Sequence, residues 1–238
     1  MWSRRFVLWV RSAGVAYLLL AVLGCSKGVF YVGGASPTAG PDPPLALLWQ
    51  QKMDAPPLGS ALFAGGLALQ LSANATLYAF DRYSGERLGK RGFDDEVCGA
   101  PVVVGDLILV AQLGEDAAMV ALDRRTQKER WRHKGTFCLP PAVLGDTVVV
   151  AGEGGALRAL RAESGEEIWR AELDESLRVA PVISGNLLLV GDARGRLYAL
   201  DMADGQERWQ SELASGVRTV PLVAAGRIWV GSAAGRIT

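Results

Sequence analysis

Residues 178–209 read RVAPVISGNLLLVGDARGRLYALDMADGQERW, and this stretch decides the fold. It contains the apolar runs Pro181-Val182-Ile183, Leu187-Leu188-Leu189-Val190 and Leu197-Tyr198-Ala199-Leu200, and then Arg208-Trp209. Gly185-Asn186, Asp192 to Gly195 and Asp204-Gly205 separate them. Short β-rich runs cut by Gly/Asn/Asp turns are antiparallel strands joined by hairpins, so this stretch predicts a four-stranded meander.

Most of the remaining chain repeats it. Pro101, Pro141, Pro181 and Pro221 recur every 40 residues. Each leads an apolar run that ends in Gly105-Asp106, Gly145-Asp146, Gly185-Asn186 or Gly226-Arg227. A worn earlier copy has Ala61 at the proline position and Gly65-Gly66 at the turn. Third strands carry Ala79-Phe80-Asp81, Ala121-Leu122-Asp123, Ala159-Leu160-Arg161 and Ala199-Leu200-Asp201, and outer strands carry Trp131, Trp169 and Trp209. The first copy has Gly89 where its Trp would stand. Self-similarity at this period predicts an all-β array of blades, each of which buries its faces against its neighbours. Four complete copies are expected, at about 59–93, 99–134, 139–172 and 179–212. A partial fifth begins at Pro221, and residues 47–52 with Trp49 are expected to form an orphan outer strand.

The signature A-x-D-x-x-[TS]-G-x-x-x-W, followed by a proline-led strand and a G-[DN] turn, resembles the PQQ-like β-propeller repeat family. Ala199, Asp201, Gly205 and Trp209 match it. Ala159, Gly165 and Trp169 match with Arg161 replacing the Asp, and Ala79, Asp81, Ser84 and Gly85 match without the Trp. The resemblance implies a propeller over residues 47–238, C-terminally incomplete and belonging to a ring of seven or eight blades. Within the family the chain looks like the lipoproteins of BamB type. That likeness implies a non-enzymatic periplasmic scaffold, anchored to the outer membrane, with protein partners in the β-barrel assembly complex. The alternative is a generic propeller for ligand sensing or protein interaction. A PQQ- and calcium-dependent dehydrogenase fragment is the third reading. The vicinal cysteine pair of such enzymes is absent and no clustered Glu/Asn/Asp calcium set is evident, so no cofactor and no catalytic or metal residue is assigned.

Residues 1–24 read as a leader, with Arg4-Arg5 ahead of an apolar run from about Val15 to Leu23. Val22-Leu23-Gly24-Cys25 resembles a lipobox, so Cys25 is the candidate lipidated residue, and the Pro/Gly/Ser-rich residues 25–46 read as a flexible tether. Without the three arginines of the leader, 22 basic residues face 25 acidic ones, and there is no basic patch of the kind nucleic acid requires.

Cys98 and Cys138 occupy matching positions in adjacent copies. A disulfide needs Cα atoms within about 7 Å. Equivalent points on neighbouring blades are often farther apart, which favours two partly buried free thiols. Arg178 and Arg218 hold the same position in the next two copies, as a positive rim or as solvated loop residues. His133 is the only histidine, so any nucleophilic triad would have to use it; an edge position on the outer strand is the simpler reading. Asp81, Asp123 and Asp201 recur with the repeat and are expected to cap the following turn.

Overall fold

In the computed structural model the described residues are 47–238, together with two short paired strands, β1 (Arg11–Ser12) and β2 (Val15–Ala16), inside the unit Met1–Ala46. Cys25, the tether and the rest of the leader fall outside the described residues.

From Leu47 to Thr238 the chain is strands and turns, with one 3₁₀ turn at Glu153–Gly155. The first blade is β3 (Pro57–Ala64), β4 (Leu67–Ser72), β5 (Thr76–Asp81) and β6 (Arg87–Gly92). The second is β7 (Val97–Val104), β8 (Leu107–Gln112), β9 (Ala118–Asp123) and β10 (Glu129–Lys134). The third is β11 (Ala142–Leu144), β12 (Thr147–Ala151), β13 (Ala156–Arg161) and β14 (Glu167–Glu172). The fourth is β15 (Val182–Ser184), β16 (Leu187–Gly191), β17 (Arg196–Asp201) and β18 (Glu207–Glu212). A fifth sheet pairs β19 (Leu222–Ala224) with β20 (Arg227–Trp229), and the bridge Gly231↔Ile237 begins its third strand. Each complete blade is an antiparallel meander in chain order. The series is an open propeller arc.

Burial follows position in the blade. Every residue of β8 is buried, because neighbouring blades cover both faces of a middle strand. Outer strands such as β6 and β14 are mostly exposed. Alternate residues of one strand serve different seams. Leu69 and Leu71 meet Ile108 and Val110 between the first two blades, whereas Leu109 and Ala111 meet Val148 and Val150 between the second and third. A sheet covered on both faces needs continuous apolar runs, and this is why the middle strands read LILVAQ and TVVVA. In every complete blade the outer strand shifts register beside the signature alanine, for example between Ala159 and Leu160.

Two expectations are corrected here. Residues 47–52 form no strand. Instead Trp49, with Met53, packs on Ala68, Tyr78 and Phe80 of the first blade. Among the described residues no blade covers that face, and burying the indole there removes apolar surface from water. The turn of the fifth sheet is Ala225-Gly226, one residue earlier than the Gly226-Arg227 read from sequence, because Ala224 pairs with Arg227. The 40-residue period holds at the cost of Ala225 adopting φ +50°.

Candidate functional site

Tryptophan and glycine of the repeat signature meet between copies rather than within one. Trp131 of the second blade donates its indole N–H to Ala162 O of the third at 2.7 Å, and Trp169 of the third donates to Met202 O of the fourth at 2.9 Å. Trp49 does the same to Arg82 O at 2.9 Å. Each ring lies against the turn glycine beside its acceptor. A Cβ on Gly165 would stand 2.6 Å from Trp131, and one on Gly205 2.5 Å from Trp169. Trp131 and Trp169 are buried, while Trp209, whose seam would be with the fifth sheet, is half-buried. Pro101, Pro181 and Pro221 are buried at the heads of their runs, and Pro141 is half-buried. Trp131 and Trp169 are thus packed into seams and offer no open ring face to a ligand.

The recurring aspartates cap turns. Asp81 Oδ1 accepts the backbone N–H of Tyr83 and Ser84, and Asp123 Oδ1 accepts those of Arg125 and Thr126. Asp201 accepts from Ala203 N and from the Arg208 guanidinium at 2.6 Å. The backbone N–H groups of Ser84, Thr126 and Ala203 respectively do most to hold these carboxyls below the usual range. Arg161, at the same position in the third blade, lies 3.7 Å from Asp146. Sequence reading missed Asp192. It is fully buried, takes the backbone N–H of Arg194, Gly195 and Arg196, and also meets the Arg196 side chain. Beside it, burial pushes the Tyr198 hydroxyl up to about 12.

Two surfaces, one at each end of the sheets, are candidates for recognition. At the end carrying the turns Gly105-Asp106 and Gly145-Asp146, a groove of about 770 Å³ runs between the second and third blades. Asp106, Asp123, Arg130, Asp146, Arg161 and Glu163 line it. Its charges are largely matched: Asp106 pairs with Arg124 at 2.9 Å, and Asp123 with Arg130 at 3.7 Å.

At the opposite end, where each outer strand hands on to the next inner strand, Cys98, Cys138, Arg178 and Arg218 hold equivalent positions. Arg178 and Arg218 are exposed, and among the described residues neither makes an ion pair. Cys98 and Cys138 are joined as a disulfide with Cα atoms 5.2 Å apart, and not held as the separate thiols expected from blade spacing. Blades converge toward the inner strands, so equivalent points there lie closer than the average blade separation. Gly99 permits the approach: at φ +70°, a Cβ there would stand 2.7 Å from Cys138 O. His133 lies on β10 with Nε2 3.9 Å from Glu167 Oε2 and its ring 6.0 Å from that of Phe137, a blade-edge position. Among the described residues no group of three His, Cys, Asp or Glu is placed to hold a metal ion.

Known proteins resemble the chain in fold. The BamB structure from Moraxella catarrhalis superposes with a TM-score of 0.65 at 20% identity, covering 80% of this chain and 62% of that one. The chain thus spans under two thirds of that BamB. The computationally designed protein Ika8 gives 0.51 at 14% identity, over 78% of this chain and 70% of that one. The quinohemoprotein alcohol dehydrogenase ADHIIG from Pseudomonas putida HK5 gives 0.60 at 15% identity, over 76% and 40%. At these identities the likenesses establish the propeller and nothing about chemistry. No curated protein matches by sequence. Residues 43–180 and 154–238 do match a family by sequence, and the chain belongs to that family, described as outer membrane protein assembly factor BamB.

Proposed function

We propose that this protein is a non-enzymatic scaffold of the bacterial envelope that takes part in the assembly of outer-membrane β-barrel proteins. The observation that carries the reading is the family match across the whole propeller. On this reading Cys25 is lipidated, the leader 1–24 is removed, and residues 25–46 tether the propeller to the periplasmic face of the outer membrane. The partner is a protein of the barrel-assembly complex, and no nucleic acid, cofactor or catalysis is involved. The rim carrying Arg178 and Arg218 supports a docking role: two exposed guanidinium groups without internal ion pairs suit an acidic partner loop.

The test is affinity purification of the tagged full-length chain from detergent-solubilised envelopes. Barrel-assembly components are expected to co-purify, and Arg178→Glu with Arg218→Glu is expected to reduce their recovery while leaving the far-UV spectrum unchanged. Wild-type chain recovered without any barrel-assembly component ends this reading. Cys25→Ser is expected to release the protein from membranes; retention there removes the lipid anchor from the proposal.

A further inference from the structure

The Cys98–Cys138 bridge lies where the repeat is otherwise held by hydrogen bonds. At the equivalent position of the fourth blade Arg178 N donates to Gly191 O at 3.4 Å, and in the fifth sheet Arg218 N donates to Gly231 O at 2.9 Å. In the second blade Cys98 pairs with Ala111 within the sheet. In the third blade, among the described residues, no backbone hydrogen bond ties residues 136–141 to the sheet. Phe137 is buried there, and two prolines, Pro140 and Pro141, follow without N–H groups to give. The disulfide thus replaces the missing tie.

The two sulfurs are not equally placed. Cys138 is exposed, whereas Cys98 is half-buried and packs against the seam core of Leu107, Leu109, Trp131, Val148 and Leu160. That core is continuous without the bridge, so opening it leaves the seam closed.

We propose that this bridge is a thiol–disulfide exchange site, entered at Cys138, that latches residues 136–141 to the start of β7. Its reaction partner is a dithiol of the protein's compartment. One thiolate of that dithiol attacks Cys138 Sγ; the bond to Cys98 breaks, and Cys98 leaves as a thiolate that takes up a proton. The second thiolate of the dithiol then attacks the mixed disulfide and releases Cys138 as a thiol. Two electrons pass to the bridge, and the dithiol departs as its own disulfide. Reduction frees the segment next to the Arg178 rim; reoxidation fixes it. The proposal stands on the geometry of the rim and is independent of the assembly role.

The experiment uses the full chain, treated with dithiothreitol without denaturant, alkylated, and read cysteine by cysteine by peptide mass so that Cys25 is scored separately. Cys98 and Cys138 are expected to become alkylated under native conditions, with an unchanged far-UV spectrum and faster chymotryptic cleavage after Phe137. Alkylation only in denaturant, collapse of the spectrum, or unchanged cleavage overturns the latch. For the entry point, the variants Cys98→Ser and Cys138→Ser are exposed to oxidised glutathione. The exposed Cys138 thiol is expected to form its mixed disulfide about tenfold faster than the half-buried Cys98 thiol. Equal rates, or a faster Cys98, overturn the assignment. If either variant fails to fold, the initial rate of alkylation at each cysteine of the reduced native chain decides the same question.

Discussion

Gln127 of the second blade lies over Gly89 of the first, its Nε2 3.7 Å from where a Cβ on Gly89 would stand. At two other seams the large residue is the Trp of the earlier blade and the small one the turn glycine of the later blade, as in Trp131–Gly165 and Trp169–Gly205. Here the sizes are exchanged. Gln127 keeps the turn conformation, at φ +56°, that glycine adopts elsewhere. The large and small positions are exchanged across the seam rather than within either blade.

Gly89→Trp alone therefore collides with the Gln127 side chain, and Gln127→Gly alone leaves the seam underfilled. The double variant rebuilds the arrangement of the next two seams. In a denaturation cycle the coupling between the two sites is expected at roughly 0.5–3 kcal/mol in favour of the double variant. Strict additivity would show that the residues do not fill one shared space.

Trp169→Ala is expected to cost about 3–5 kcal/mol, the usual range for truncating a buried aromatic residue. Gly205→Ala also destabilises, since its Cβ would lie 2.5 Å from the Trp169 ring and its backbone is at φ +71°. The steric part of that loss vanishes once the ring is gone. Urea midpoints should thus show Gly205→Ala costing less in the Trp169→Ala background, and an equal cost in both would refute the contact.

Asp81, Asp123 and Asp201 have carboxyl groups held below their ordinary values in the folded state. A depressed folded pKa means that the unfolded chain takes up the proton first. The stability these caps contribute is present above the unfolded value of about 3.9 and is lost as pH falls through the folded values. Asp201→Asn is expected to lower stability at neutral pH and to flatten the dependence below about pH 4. Thermal melts across pH 2–7, about that whole window, measure it; an undiminished slope in the variant would remove the cap from the account.

Ala225 stands in a left-handed conformation, φ +50°, at the turn position where the preceding blades use glycine. Relieving the Cβ there outweighs the added freedom of the unfolded chain. Ala225→Gly should stabilise the chain by about 0.5–1 kcal/mol. A variant no more stable than the parent would mean that the fifth sheet does not hold its turn in this form.

Much of the fold is visible in local chemistry. The spacing of Pro101, Pro141, Pro181 and Pro221 and the turns four residues later, Gly-led in all but the last, impose the period, and two-residue hairpins then set which residues pair inside each blade. Asp81, Asp123 and Asp201 cap backbone N–H groups within three residues of themselves, so that role too is legible. What sequence conceals is every relation between blades. That Trp169 meets the glycine of the next copy, that Gln127 answers Gly89, that Trp49 covers the first blade, and that Cys98 reaches Cys138 all depend on how far successive sheets are rotated and how near the axis a residue lies. A repeat length carries no measure of that radius: the same 40-residue step is a 5.2 Å separation at the two cysteines and wider than a bond can span farther out. The chain's own letters determined the blade; packing around a common axis decided which residues of neighbouring blades became partners.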